Sequence, residues 1–284
     1  MIKINFQEPV TSEWRAWLDE CRTEQERHND AIEAGQSSDV KKDVYKGKRY
    51  NIKDNIYMSL DSDFHGKCAY CESSIANNQP GDIEHFRPRG KVTDVENKPI
   101  MVDKGNGMEP HPGYYWLAYD WKNLLLSCRD CNRIAKSKSA GKLIGKGNRF
   151  PVKDFRAVQP DEEIREEPLL IHPVLEDPEE HLEVDETGIM KAKNGSEKGK
   201  TCIDIFGLNN REALQVARKD CFDDVKARTC ILAIELIQSN TNDISYVKEI
   251  LQGRKAYSAA ARTALKQCFS KLTPLLDARK QLNG

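Results

Sequence analysis

The 284-residue chain contains no apolar run approaching the ~20 residues that a membrane-spanning helix needs, so no membrane role is expected. Its opening, Met1-Ile-Lys-Ile-Asn-Phe-Gln-Glu8, lacks the apolar centre of a secretory signal, and a cytoplasmic location is expected. No internal repeat, low-complexity tract or DNA-reading helix-turn-helix pattern is apparent. Net charge is −1, so overall charge gives no sign of a nucleic-acid partner. What remains is an ordinary apolar fraction, abundant charge and length enough for one large domain or two modest ones.

Cysteine is the exception to this plainness. There are nine, an odd number, in a chain expected to meet a reducing compartment, which argues against a disulfide framework. Cys21, Cys202, Cys221, Cys230 and Cys268 are scattered singly through helix-like sequence and are expected to be buried apolar thiols. The other four form two Cys-x-x-Cys pairs, Cys68/Cys71 and Cys128/Cys131. Each such pair offers two thiolates from one tight turn, and two turns complete the tetrahedron of a structural zinc. The rival reading is a redox motif, which calls for a single pair in a strand–helix setting.

Charge is distributed unevenly. From Lys122 to Arg149 there are eight basic residues and one acid, Asp130, whereas acids gather between 161 and 187. A local basic stripe is the footprint of a phosphate site, or else a solvated helix face. Within it Arg133, Lys136 and Lys138 follow Asn132 on an expected helix over 129–138, which makes them candidate phosphate contacts.

Between the knuckles lies Asp82-Ile-Glu-His-Phe-Arg-Pro-Arg-Gly90. Histidine titrates near ~6.5 and is suited to general-base work at neutral pH, and His85 stands beside the acid Glu84. His28, His65, His111, His172 and His181 carry no such context and are read as structural or solvated. A magnesium-type ion prefers oxygen and keeps several waters, so Glu84 and Asn132 suffice as candidate ligands. Asn123 suits a side-chain clamp on the loop of His85. Taken singly, these residues read equally well as a turn former, a helix residue and a solvated acid.

In pattern, residues 1 to about 60 read as helical and polar, with an apolar stripe at Trp14, Trp17 and Leu18, a loop at 35–39 and a second helix near 50–63. Segment 92–113 reads as a loop inserted into the central module. Residues 148–200 read as irregular, with a hairpin from Leu182-Glu-Val184 to Ile189-Met-Lys191. Helices are expected from Thr201 onward, including 220–240 and 244–282. The chain thus divides into an N-terminal helical region (1–60), a central module (61–155), a connecting segment (156–200) and a C-terminal helical region (201–284).

The segments Cys68-Ala-Tyr-Cys71-Glu, Ile83-Glu-His-Phe-Arg-Pro88, Trp121-Lys-Asn through Cys131-Asn-Arg133, and Asn148-Arg-Phe-Pro151 resemble the HNH endonuclease family. His85, Asn123 and Asn132 match its three signature letters, the last in its asparagine variant. The pattern along the chain gives an α+β, mostly helical protein, and the resemblance implies a ββα-metal nuclease core within it. It also implies His85 as general base, Asn123 as loop organiser, and Glu84 with Asn132 holding a catalytic Mg2+ or Mn2+. The family commonly has Asp before the histidine, where this chain has Glu84. These motifs cover about 65–151. A looser likeness through Pro168-Leu-Leu-Ile-His-Pro173 and Phe206-Gly-Leu-Asn-Asn-Arg-Glu-Ala-Leu214 is similar to the HNH component of Septu-type and retron-associated antiphage systems. That likeness implies an ABC/SMC-like ATPase partner; the helices after residue 200, with apolar stripes at Ile231, Leu232, Ile234 and Leu236, offer a docking surface for it or else pack onto the nuclease module. Competing with the nuclease are a zinc-stabilised nucleic-acid-binding or assembly module without chemistry, and an ordinary restriction-type nuclease. The choice between DNA and RNA is open at this level.

Overall fold

The computed structural model describes residues 1–75, 81–103, 105, 107–137, 141–237 and 244–282, without the side chains of 234–237 and 274–282. Helix accounts for 44% of the chain and the strands are short, so the architecture is mixed α and β. Helix α1 (Ser12–Glu33) starts where the Thr11 side chain accepts from Trp14 N at 3.2 Å. Its buried stripe of Trp14, Trp17, Cys21 and His28 follows helical spacing. Trp14 packs on Trp17 (4.8 Å between rings) and, with Phe6, on Trp121. The one-turn helix α2 (Lys42–Tyr45) is fastened beneath α1 by Trp17 Nε1, which donates to the Val44 carbonyl at 2.7 Å. The helix expected near 50–63 is instead a 3-10 turn and a π-helical turn ending at Met58, broken by Asn51 in the left-handed region.

The centre of the molecule is two antiparallel strands and one turn of helix. Strand β1 (Asp82–His85) pairs with β2 (Leu124–Ser127) in the register Asp82↔Ser127 to His85↔Leu124. Leu124, Leu125 and Leu126 are all buried, the continuous apolar run of a strand covered on both faces. The 86–123 insertion leaves and returns through a pinch at Gly90 and Gly113, where a Cβ on Gly113 would lie 1.4 Å from the Gly90 carbonyl oxygen. At its tip Met101–Asp103 pairs with Met108–Pro110 in a small exposed hairpin.

Helix α3 (Arg129–Asn132) follows β2 and stops after one turn. The helix expected over 129–138 is therefore shorter. Its carbonyls are claimed by another segment, Cys131 O by Lys146 N at 2.7 Å and Asn132 O by Gly147 N at 2.6 Å. Arg133 then turns extended, and Ala135–Lys136 pairs with Leu143–Ile144.

Strands β3 (Leu182–Val184) and β4 (Met190–Ala192) form the expected hairpin. Helix α4 (Glu197–Phe206) ends on Gly207 at φ 58°, and Phe206 stacks on Tyr70 with rings 4.0 Å apart. Helices α5 (Glu212–Ile237) and α7 (Ser258–Leu282) follow, with α6 (Ser245–Leu251) between them. The helix expected over 244–282 is interrupted because Gly253 adopts φ 75° and its carbonyl accepts from Lys67 Nζ. One hydrophobic core runs through the described residues from Met1 to Leu265 and includes side chains of α1, both central strands and the C-terminal helices. Of the single cysteines, Cys21, Cys202, Cys221 and Cys268 are buried but Cys230 is exposed. The buried stripe of α5 runs through Leu214, Arg218, Cys221, Phe222, Val225 and Thr229, and Cys230 lies off it. No helix among the described residues is long and apolar enough to cross a membrane.

Candidate metal centre and histidine cleft

The two knuckles meet. Cys68, Cys71, Cys128 and Cys131 are buried, and their sulfurs all lie within 4.8 Å of one another. Cys71 Sγ and Cys128 Sγ are 3.7 Å apart. A tetrahedral zinc with bonds of ~2.3 Å sets its sulfurs roughly 3.8 Å apart, so this donor set fits the ion. Cys128 caps α3 and Cys131 sits within it, while Cys68 is tied to β2 through the Ala69 amide, which donates to Leu126 O at 2.9 Å. The C-terminal region closes the cluster. Arg211 Nη2 donates to Cys131 Sγ at 3.3 Å, and its Nη1 lies 4.0 Å from the Asp130 carboxylate. Burial disfavours the charged guanidinium of Arg211, and the thiol groups of Cys131, Cys71 and Cys128 outweigh it, so its pKa is raised.

At the other end of the same strands His85 is buried, with its ring edge-on to Tyr45 at 4.8 Å. Its Nε2 lies 2.8 Å from the Ala118 carbonyl, which can only accept, so Nε2 carries the proton and Nδ1 the lone pair. Burial pushes the His85 pKa down to about 3, and the positive charges of Arg89, Lys146 and Lys46 act in the same direction, so the ring is neutral. His111 and His172 are buried too, but both of their nitrogens are committed. His111 bonds Ala157 O at 2.7 Å and accepts from Gly113 N at 2.9 Å, and His172 bonds Lys122 O at 3.0 Å and accepts from Leu175 N at 3.3 Å. His85 Nδ1 has no partner among the described residues.

Asn123 is buried behind this histidine. Its Oδ1 accepts from Arg87 N at 2.7 Å, and its Nδ2 donates to Arg87 O at 3.0 Å and Leu117 O at 3.1 Å. The amide therefore clasps both ends of the insertion, the strand exit after His85 and the turn that presents Ala118.

Glu84 carries a feature that the sequence did not suggest. It forms a buried ion pair with Lys146, 2.5 Å from Nζ to Oε1, and Lys146 also donates to the His85 carbonyl at 2.8 Å. Burial raises the Glu84 pKa, and Lys146 opposes that rise. Its Oε2 has no hydrogen-bond partner among the described residues. Asn132 Nδ2 donates to Asp82 Oδ2 at 3.3 Å, which leaves Asn132 Oδ1 unengaged. Two uncommitted oxygens satisfy the modest protein requirement of a hydrated magnesium-type ion.

Glu84, His85 and Asn132 line one cleft of about 470 Å³, together with Asp82, Tyr45, Arg89 and Arg133. The basic stripe from 122 to 149 is not one surface. Lys146 and Arg149 are interior, and Arg149 donates to the carbonyls of Val95, Leu143, Gly145 and Ile205. Arg133 reaches the cleft and lies 3.6 Å from Asp82. Lys136 is exposed on the small strand after α3, so the placement of Lys136 one helical turn beyond Asn132 does not hold. Lys138 lies outside the described residues, as do the side chains of Ile234 and Leu236. Ile231 is exposed.

The chain is 38% identical over 190 residues to Septu protein PtuB of Bacillus mycoides (strain KBAB4), covering 66% of this chain and 58% of that protein. It is 30% identical over 194 residues to Septu protein PtuA of the same strain, covering 66% of this chain and 23% of that protein. The chain thus spans less than two thirds of the length of the curated relatives it matches. No family model matches the sequence, and no solved structure matches the fold.

Proposed function

We propose that the chain is a metal-dependent HNH endonuclease that hydrolyses phosphodiester bonds of nucleic acid, acting as the effector of a Septu-type antiphage defence system. One observation carries the enzymatic reading: His85 is a buried histidine on a cleft, with one nitrogen fixed and the other uncommitted. A core histidine would have both nitrogens engaged, as His111 and His172 do. The succession of β1, β2 and α3 supports a ββα-metal core, and the two Septu relatives support the defence role.

In this reading the Ala118 carbonyl holds the Nε2 proton, and Nδ1 takes a proton from the attacking water. Asn123 keeps Ala118 and the exit of β1 in register, and Tyr45 fixes the ring plane. Glu84 and Asn132 would hold Mg2+ or Mn2+, whose charge stabilises the phosphate oxygens as the bond to the leaving group breaks. Lys146 holds Glu84 by one oxygen and leaves the other for that ion. An ABC/SMC-like ATPase docked on the helices after residue 200 belongs to the same reading.

The test is incubation of the wild-type protein and His85→Ala with plasmid, single-stranded DNA and total RNA in magnesium. Each is assayed alone and co-expressed with a neighbouring ATPase. Cleavage of one substrate, reduced ~10²–10⁴-fold in the variant at equal zinc content, is expected for loss of a general base. Equal cutting by the variant rejects His85. Binding with no cutting in any arm leaves the zinc-stabilised binding module.

A further inference from the structure

The rim of the histidine cleft is cationic, and its cations come from an unexpected part of the chain. Lys42 and Lys46 line the cleft although they lie some forty positions upstream of His85. They stand four residues apart, Lys42 opening α2 and Lys46 capping its C-terminus, where the Lys46 amide donates to the Lys42 carbonyl at 3.1 Å, so both lie on one face. Arg89 faces the same space and sits over the Tyr45 ring at 5.9 Å. None of the three has a carboxylate partner among the described residues, whereas Lys41 is paired with Glu24 at 2.6 Å and Lys48 with Asp43 at 3.7 Å. The two carboxylates of the cleft are engaged elsewhere, Asp82 by Asn132 and Arg133 and Glu84 by Lys146, so the three cations repel one another, an arrangement that becomes favourable when an anion enters.

The wall that carries them is rigid. Val44 and Tyr45 are buried, Trp17 holds the Val44 carbonyl, and the Lys41 amide donates to Tyr119 Oη at 2.7 Å. Gly47 closes the turn at φ 58°, where a Cβ would meet Ile52 at 2.4 Å. The lysines are thus held at the cleft by packed side chains and fixed backbone.

We infer that Lys42 and Lys46 of the N-terminal region, with Arg89, form a phosphate-binding wall that lays the nucleic-acid backbone across His85. The inference rests on the phosphodiesterase reading of the cleft. It assigns the 1–60 region to substrate binding, a role that no motif in it suggests.

Binding is measured in the non-cutting His85→Ala background with magnesium, by fluorescence anisotropy of a labelled duplex DNA, a labelled DNA single strand and a labelled RNA. Each is titrated over a range of sodium chloride. Each phosphate contact contributes ~0.9 to the slope of log affinity against log salt on duplex DNA and ~0.7 on a single strand. Lys42→Gln/Lys46→Gln should therefore flatten the slope for the bound probe by about 1.4–1.8, while Lys42→Arg/Lys46→Arg keeps it. Zinc content and thermal midpoint report that each variant is folded. An unchanged slope in the folded glutamine variant overturns the wall, as does flattening by Lys136→Gln in its place. If His85-dependent cutting persists in that case, the nuclease reading stands without the wall. A wild type that neither binds nor cuts any probe overturns both.

Discussion

The cysteine cluster and the histidine cleft share two strands and one turn of helix, to which the cluster adds the 68–71 turn and the cleft adds α2, yet they treat charge in opposite ways. At the cluster all four sulfurs are buried and Arg211 is in contact with one of them. At the cleft a neutral histidine faces Lys42, Lys46 and Arg89, none of which has a carboxylate partner among the described residues, while Arg133 on the same rim lies 3.6 Å from Asp82. Charge satisfied internally belongs to a site that holds the fold. Charge left open is what the proposed phosphate site requires.

The largest way to test this contrast is Cys128→Ser. Structural zinc contributes an apparent ~10–16 kcal/mol to folding in small modules, so this variant should lose its zinc by elemental analysis and its soluble fold by size-exclusion chromatography. A soluble, monodisperse preparation free of zinc would remove the structural role of the cluster.

Next in size is the Lys146–Glu84 pair. Lys146→Met strands a buried carboxylate, which typically costs about 3–5 kcal/mol, read as a lower denaturation midpoint. Adding Glu84→Gln removes the unpaired charge and should recover much of the loss. If the double variant is no more stable than the single one, the pair is not a unit.

Arg211→Met addresses the closed side of the comparison. Removing an outer partner of a metal ligand commonly weakens metal binding ~10–100-fold. Competition with a chromophoric chelator should show that weakening, and the cobalt-substituted protein should show shifted sulfur-to-metal charge-transfer bands. Identical bands and affinity would make Arg211 a packing residue.

A further effect is in pH. His85 and His172 are held near about 3 and about 4 by burial, well below the unfolded value of ~6.5. The unfolded chain takes up their protons first as pH falls. Their contribution is therefore complete above about pH 6.5 and declines toward pH 3–4, by at most ~1.4 kcal/mol per unit for each group. Denaturation midpoints at pH 5 and 7 should differ less in His172→Gln than in the wild type.

Much of this contrast was legible in the sequence because it is carried by local patterns. The two Cys-x-x-Cys pairs announced the cluster, and Glu84-His85, Asn123 and Asn132 all lie at the cleft or directly behind it. The β3–β4 hairpin and α1 followed from turn residues and helical spacing. The length of α3 was not legible, because its end is set by the 146–147 backbone and not by its own residues. Lys146 and Arg149 read as surface charge because a sequence does not show the carbonyls and carboxylate that solvate them inside. Lys46 and Tyr45 gave no signal, since they reach His85 only through the packing of α1.

The cluster also has a bearing on how the chain assembles. Cys71 and Cys128 are 57 positions apart, with β1 and the insertion between them. Each knuckle can take up a metal ion from its own turn, but a four-sulfur site requires closure of that long loop, whose entropic cost rises with length. One ion per chain rewards closure; two ions let each knuckle satisfy itself separately and hold the loop open. Refolding should accordingly be fastest near one equivalent of zinc and slower in excess.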